Sequence, residues 1–196
     1  MFSKEISVKN LVDLTDILSK HGIKYWLQDG TLLGYYRENN LISYDKDTDL
    51  GLFWADIENK KYIIKEILSL GFKISKIKGY MASSLLLTFK RNGQTTDFFF
   101  YYKKGDKIYH CATGKNWQLY EYIYEPFTVK KVKFLGHYFS VPTDELKFLI
   151  TKYGKDWKTP KPKWHNITSP VNAVALGNFI DIKKCRKELR SWLKKD

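Results

Sequence analysis

Cysteine is scarce: two in 196 residues. Cys111 and Cys185 cannot build a disulfide framework or a four-cysteine zinc site, so they read as buried or incidental thiols of a reducing cytoplasm. No apolar run approaches the roughly 18 residues of a membrane span. No apolar core follows Met1-Phe2-Ser3-Lys4-Glu5, so no secretory leader is expected. Arginine is rare as well. Of 34 basic residues four are Arg, and with 21 acidic residues the net charge is +13. Such a charge suits nucleic acid, but base and phosphate readers rely on the planar Arg fork. The lysines are spread along the chain, which disfavours nucleic acid as the main partner. Disorder is excluded by 43% hydrophobic and 16% aromatic residues.

No repeat or linker interrupts residues 1–196, which read as one domain. Val8, Leu11, Leu14, Ile17 and Leu18 share one face of a helix over Val8–Lys20, closed by Gly22. Strands are expected at Lys24–Gln28, Asp49–Phe53, Phe72–Ile77, Leu85–Arg91 and Thr95–Tyr102, with a hairpin turn at Asn92-Gly93. Helices are expected over Thr31–Glu38 and Asp56–Leu70. Further on come a hairpin turning at Leu135-Gly136, a helix capped by Thr143 and stopped at Gly154, a loop at Asn166–Pro170, and a basic helix over 181–195 capped by Asp181. This is an α+β pattern: a mixed, mostly antiparallel sheet flanked by helices.

Acidic residues are the minority, yet Asp45, Asp47 and Asp49 stand at i, i+2 and i+4. On a strand these side chains share a face and repel. A solvated acidic turn is one reading, but Leu50-Gly51-Leu52-Phe53 continues the strand into a core. A calcium loop is another. Its sixth position requires Gly and here holds Leu50. The third is a divalent-metal site for phosphoryl transfer, with hard oxygen ligands for Mg²⁺ or Mn²⁺. The segment Trp26-Leu27-Gln28-Asp29-Gly30-Thr31-Leu32-Leu33-Gly34 favours it. There a strand runs straight into a helix N-terminus, where free amides and a hydroxyl can hold phosphate. Gly30 and Thr31 are therefore donor-phosphate candidates. Arg37 joins them, with a pair to Glu38 or Asp45 as its alternative. Asp97 sits in the apolar run Thr95–Tyr102. It reads as a third catalytic carboxylate, serving as metal ligand or general base; an edge aspartate facing water is the alternative.

These segments resemble the LicD/fukutin family of the nucleotidyltransferase-fold superfamily. The resemblance rests on Trp26 to Gly34 with Arg37-Glu38, on Ile42-x-x-Asp45-x-Asp47-x-Asp49-x-Gly51, and on Asp97-Phe98-Phe99. Pro126-Phe127, Pro142 and Tyr153-Gly154-Lys155-Asp156-Trp157-x-x-Pro160 extend it over about residues 23–164. It implies a metal-dependent transferase that moves phosphocholine or a polyol phosphate from a CDP-linked donor to a hydroxyl of a cell-surface glycan, releasing CMP. Asp47 and Asp49 would carry the metal, Asp45 would assist, and Asp97 would complete the shell or deprotonate the acceptor. Gly30, Thr31 and Arg37 would hold the donor phosphates.

Asp29, Tyr153, Trp157 and His165 are further cleft candidates. Tyr35, Tyr36, Tyr44, Trp117 and Trp157 read as core, with stacking on a base or sugar as the alternative. His21 reads as a helix-end contact. His110 beside Cys111 lacks further ligands for a metal. The last helix carries Lys183, Lys184, Arg186, Lys187, Arg190, Lys194 and Lys195 opposite an apolar stripe of Ile182, Cys185, Leu189 and Trp192 or Leu193. Its basic face reads as solvated. Contact with an anionic membrane or glycolipid, peripheral on the inner face, is the sharper alternative. Two other functions stay open: a nucleotidyltransferase moving NMP from an NTP to a sugar phosphate, protein or RNA, and a non-catalytic nucleic-acid-binding module.

Overall fold

A computed structural model describes residues 2–115, 118–161, 163–179 and 181–194. In chain order the elements are α1 (Lys4–Lys20), β1 (Tyr25–Leu27), α2 (Asp29–Glu38), β2 (Asp47–Phe53), a 3₁₀ turn (Trp54–Asp56), α3 (Lys61–Ser69), β3 (Lys73–Lys78), β4 (Leu86–Arg91), β5 (Gln94–Lys104), β6 (Lys107–Thr113), β7 (Gln118–Tyr124), β8 (Val129–Phe134), β9 (His137–Pro142), α4 (Glu145–Tyr153), β10 (Ala173–Phe179) and α5 (Ile182–Lys194).

The main sheet has eight strands. Six run in the order β1-β2-β5-β6-β7-β10, β4 also pairs with β5, and β3 lies outside β4. A separate hairpin joins β8 and β9. Among the described residues every ladder is antiparallel except β2–β5. That parallel pair needs a crossover, and α3 with the β3–β4 hairpin supplies it. Asn92 and Gly93 take φ of 51° and 80°, the mirror-image turn that matches strand twist. Leu135 and Gly136 do the same between β8 and β9, at 50° and 83°.

Alternation then sorts side chains between faces. On β2 and β5, Leu50, Leu52, Phe98 and Phe100 enter the core and are essentially inaccessible. Asp47, Asp49, Asp97 and Phe99 take the other face. Leu11, Leu14 and Leu18 of α1 are fully buried, and the helix packs on β5 and α3.

The structure departs from the sequence reading in a few places. α1 starts one turn earlier, because the Ser3 hydroxyl accepts from the Ile6 amide. The helix expected over Asp56–Leu70 is a 3₁₀ turn followed by α3 from Lys61, with Ile57 buried between them. Asp144, not Thr143, caps α4; the Thr143 hydroxyl meets that of Thr128 instead. Strands β6, β7 and β10 were not expected.

Candidate active site

Construction of the site starts at Gly51. A Cβ there would lie 2.2 Å from the Trp26 indole, so the absent side chain lets the ring settle on β2. Trp26 Nε1 donates to Gln28 Oε1 at 2.9 Å, and Gln28 Nε2 donates to Asp29 Oδ1 at 2.6 Å. Asp29 adopts a positive φ of 43° at the start of α2, a conformation that costs a non-glycine residue energy. Lys152 of α4, 3% exposed, forms an ion pair with the same Asp29 oxygen.

One turn of α2 is then used to position Asp49. The Gly30 amide donates to Asp49 Oδ2 at 3.1 Å, and the Asp49 amide donates to Thr31 Oγ1 at 2.8 Å. Gly30 also leaves room for Asp45, whose Oδ2 would lie 1.9 Å from an added Cβ. Asp45, Asp47 and Asp49 each offer an oxygen within 4.8 Å of the others. Asp97 stands beside Asp49 in the parallel ladder. Below them the Thr48 and Thr96 hydroxyls meet at 2.8 Å.

Burial is the main force on these carboxyls. It pushes Asp47 up to about 7, helped by its hydrogen bond and repulsion with Asp45. Asp49 is raised well above the usual carboxylate range by burial and by Asp47, Asp29 and Asp45. Burial raises Asp45 and Asp97 too. Asp97 is 8% exposed and its Oδ1 has no hydrogen-bond partner. Crowded, buried oxygen donors with an orphaned acceptor among them fit a divalent cation of the Mg²⁺ or Mn²⁺ kind.

The cluster lies in a cleft of about 810 Å³. Lys76 and Lys78 line it on the β3 side, and Tyr122, Tyr153, Trp157 and Trp164 line an aromatic portion. Of the residues expected from sequence, Asp29, Gly30, Arg37, Asp45, Asp47, Asp49, Asp97, Tyr153 and Trp157 all border this cleft. Two do not. Thr31 is 1% exposed, and its hydroxyl is engaged by β2. His165 is exposed, and its Nδ1 is 3.1 Å from the Thr168 hydroxyl. The candidate phosphate-binding groups are also committed internally. Gly30 serves the protein's own Asp49 carboxylate, and the Arg37 guanidinium donates to the Trp157 carbonyl rather than pairing with Glu38 or Asp45.

Tyr44 is 67% exposed at the cleft, whereas Trp157 is buried edge-on to Tyr36; Trp117 lies outside the described residues. His21 Nε2 meets Glu66 Oε2 at 2.6 Å. His110 is buried and stacked on Tyr122 at 4.7 Å, and neither ring nitrogen has a hydrogen-bond partner. Burial holds its pKa well below the ordinary value, so it is neutral. Both cysteines are free and buried. Sequence reasoning missed His110, Lys76, Lys78 and Lys152 as cleft residues. Lys152 had a signal: it follows Phe148 by one helical turn, on the apolar face that Leu149 and Tyr153 share.

On α5, Cys185 and Leu189 are buried and Trp192 Nε1 donates to the Glu58 carbonyl at 2.8 Å. Lys183, Arg186, Lys187, Arg190 and Lys194 share a groove on the other side. The Ile182 side chain and Lys195 lie outside the described residues. Among the described residues no helix is long and apolar enough to cross a membrane.

A strand-to-helix turn, a carboxylate-bearing strand and a parallel neighbour carrying one more carboxylate define a nucleotidyltransferase-like fold. The solution structure of the antibiotic-resistance factor ANT(2'')-Ia shares that fold, with a TM-score of 0.50 at 12% identity, over 85% of this chain and 82% of that one. The LicD/FKTN/FKRP nucleotidyltransferase domain matches residues 22–144, and the chain belongs to that family. The human ribitol-5-phosphate transferase FKTN is 34% identical over 174 residues, 87% of this chain and 37% of that protein. An uncharacterised protein of Rickettsia prowazekii is 27% identical over 188 residues, 94% of this chain and 65% of its own length. The chain thus spans little more than a third of the human transferase it matches.

Proposed function

We propose that the chain is a metal-dependent phosphotransferase that moves a polyol phosphate or phosphocholine from a CDP-linked donor to a glycan hydroxyl. The observation that carries this reading is the convergence of Asp45, Asp47, Asp49 and Asp97 on one cleft wall, half-buried or buried and all with raised pKa. Asp45, Asp47 and Asp49 would hold Mg²⁺ or Mn²⁺, with Asp97 beside them; such an ion supplies Lewis-acid stabilisation of phosphoryl charge. Kinship with a ribitol-5-phosphate transferase supports a polyol phosphate as the transferred group.

In the reaction the acceptor oxygen forms a bond to the distal phosphorus of the donor. The anhydride P–O bond breaks, and its electron pair leaves with CMP. The acceptor proton passes to the Asp97 carboxylate, whose raised pKa makes it a stronger base than an ordinary aspartate. Gly30 and Thr31 hold Asp49 in place, and Lys152 pairs with Asp29 and offsets part of the charge it adds to the cluster.

The test is incubation with CDP-choline, CDP-ribitol or CDP-glycerol and Mg²⁺, with and without candidate glycans. Release of CMP is expected, and transfer should fail with EDTA. Pyrophosphate released from an NTP would show nucleotidyl transfer instead.

A further inference from the structure

Two of the groups that sequence assigns to donor phosphate, Gly30 and Thr31, make hydrogen bonds to Asp49. The N-terminal amide of α2 at Gly30 is taken by Asp49 and the Thr31 hydroxyl by the Asp49 amide, while Arg37 gives one guanidinium nitrogen to the Trp157 carbonyl and keeps a buried, unpartnered Nε. Of the other cations bordering the cleft, Lys152 is paired with Asp29 and Lys161 with Asp156 at 2.9 Å. Lys76 and Lys78 are the cleft lysines that stand apart from these pairs. Neither makes a hydrogen bond or ion pair among the described residues, and both border the cleft.

Register fixes where they stand. Lys76 is opposite Thr88 on β4, Thr88 opposite Asp97 on β5, and Asp97 opposite Asp49 on β2. These residues form one row across the sheet. Lys78 begins the adjacent row, through Leu86 to Phe99. The lysines therefore stand two interstrand spacings, about 10 Å, from the strand of Asp97. Their like charges, two residues apart, face the field of Asp97 and Asp47 and are further balanced by an anion placed between them. A diphosphate spans such a gap, with one phosphoryl group at the carboxylate cluster and the other at the lysines. Asp97 Oδ1, buried and unpartnered, marks where that ligand assembly is incomplete.

We propose that Lys76 and Lys78 form the anion site for the leaving-side phosphate of a nucleoside diphosphate-linked donor. This rests on the CDP-donor reading. As the anhydride bond breaks, negative charge grows on the departing CMP phosphate, and two ammonium groups next to it stabilise that charge.

Calorimetry in Mg²⁺ buffer with CMP, cytidine and inorganic pyrophosphate tests the site. Wild-type protein should bind CMP more tightly than cytidine. Lys76→Gln and Lys78→Gln should each weaken CMP binding about tenfold, the cost of one charged hydrogen bond, and leave cytidine binding unchanged. The double variant should bind CMP no better than cytidine, and Lys→Arg at either position should restore most of the difference. Lys65→Gln, on the exposed side of α3, should change nothing. Unchanged CMP and pyrophosphate affinity in the double variant overturns the proposal, as does wild-type protein that binds neither ligand. Lysine-dependent pyrophosphate binding without CMP release from any CDP donor supports the anion site and overturns the donor assignment alone.

Discussion

Asp49 and Asp97 lie directly opposite each other across the parallel β2–β5 ladder, 6% and 8% exposed. One interstrand spacing, about 4.8 Å, separates their backbones. Two buried carboxylates at that distance cannot both stay ionised without a cation or a shared proton. The fold holds them there through an in-register pair of strands that share a threonine hydroxyl contact beneath. The cost is stability, and the return is a site whose oxygens suit a cation.

Asp49→Asn separates the two. The amide keeps an oxygen for the Gly30 N–H and removes a buried charge. CMP release should fall at least about 10³-fold, the several kcal/mol of a lost metal ligand. The melting temperature in metal-free buffer should hold or rise. A variant that melts lower yet retains activity would contradict the assignment.

The sign of the pH dependence follows from Asp47. Its folded pKa, about 7, lies above the ordinary value of 3.8. Between those values the folded chain keeps a proton that the unfolded chain has lost. The contribution of Asp47 to stability therefore falls as pH rises through this window and is flat above it. Melting curves in EDTA should show that decline in wild-type protein, and Asp47→Asn should lack its share. Mg²⁺ competes with the proton, so it should raise the melting temperature more at pH 8 than at pH 5.5. An equal Mg²⁺ effect at both values would remove the carboxylate site.

Gly30→Ala tests the close approach of α2 to Asp45. Alanine favours a helix by about 1 kcal/mol over glycine, so metal-free stability should not suffer much. The new Cβ must displace the Asp45 carboxylate, which would otherwise lie 1.9 Å away. Mg²⁺ affinity should drop about 10- to 100-fold, as for other residues that orient ligands. Titration of the melting temperature with Mg²⁺ measures it.

Much of this was legible in the chain. Alternation put Asp45, Asp47 and Asp49 on one face, and the apolar run around Asp97 marked it as costly unless partnered. The Asn92-Gly93 and Leu135-Gly136 turns were visible because each needs positive φ. What was not legible depends on pairing between distant segments. No local pattern says that Asp97 sits opposite Asp49 rather than one residue away, or that Lys76 shares their row. The internal partners of Gly30, Thr31 and Arg37 were hidden for the same reason. Nothing in a helix N-terminus or an arginine shows beforehand which internal carboxylate or carbonyl it will also meet. β6 and β7 escaped because their polar residues, His110 and Glu121, are buried, and burial of that kind breaks the apolar alternation.

Lys152 gives the sharpest test of how charge is balanced. It reaches from α4 to Asp29, a residue held at positive φ beside the carboxylate cluster. The Lys152 side chain is 4% exposed and that of Asp29 16%. Lys152→Met keeps the buried stem and removes the charge, which leaves Asp29 uncompensated among the other carboxylates. Breaking a buried pair from one side costs about 3 kcal/mol or more. Urea unfolding in EDTA should show that loss, and Mg²⁺ should recover part of it by supplying positive charge nearby. Asp29→Asn added to Lys152→Met should recover most of it without Mg²⁺, because no unpaired charge remains. A double variant no more stable than Lys152→Met would mean that the Lys152 ammonium acts through the Tyr122 and Tyr153 rings and not through its pair with Asp29.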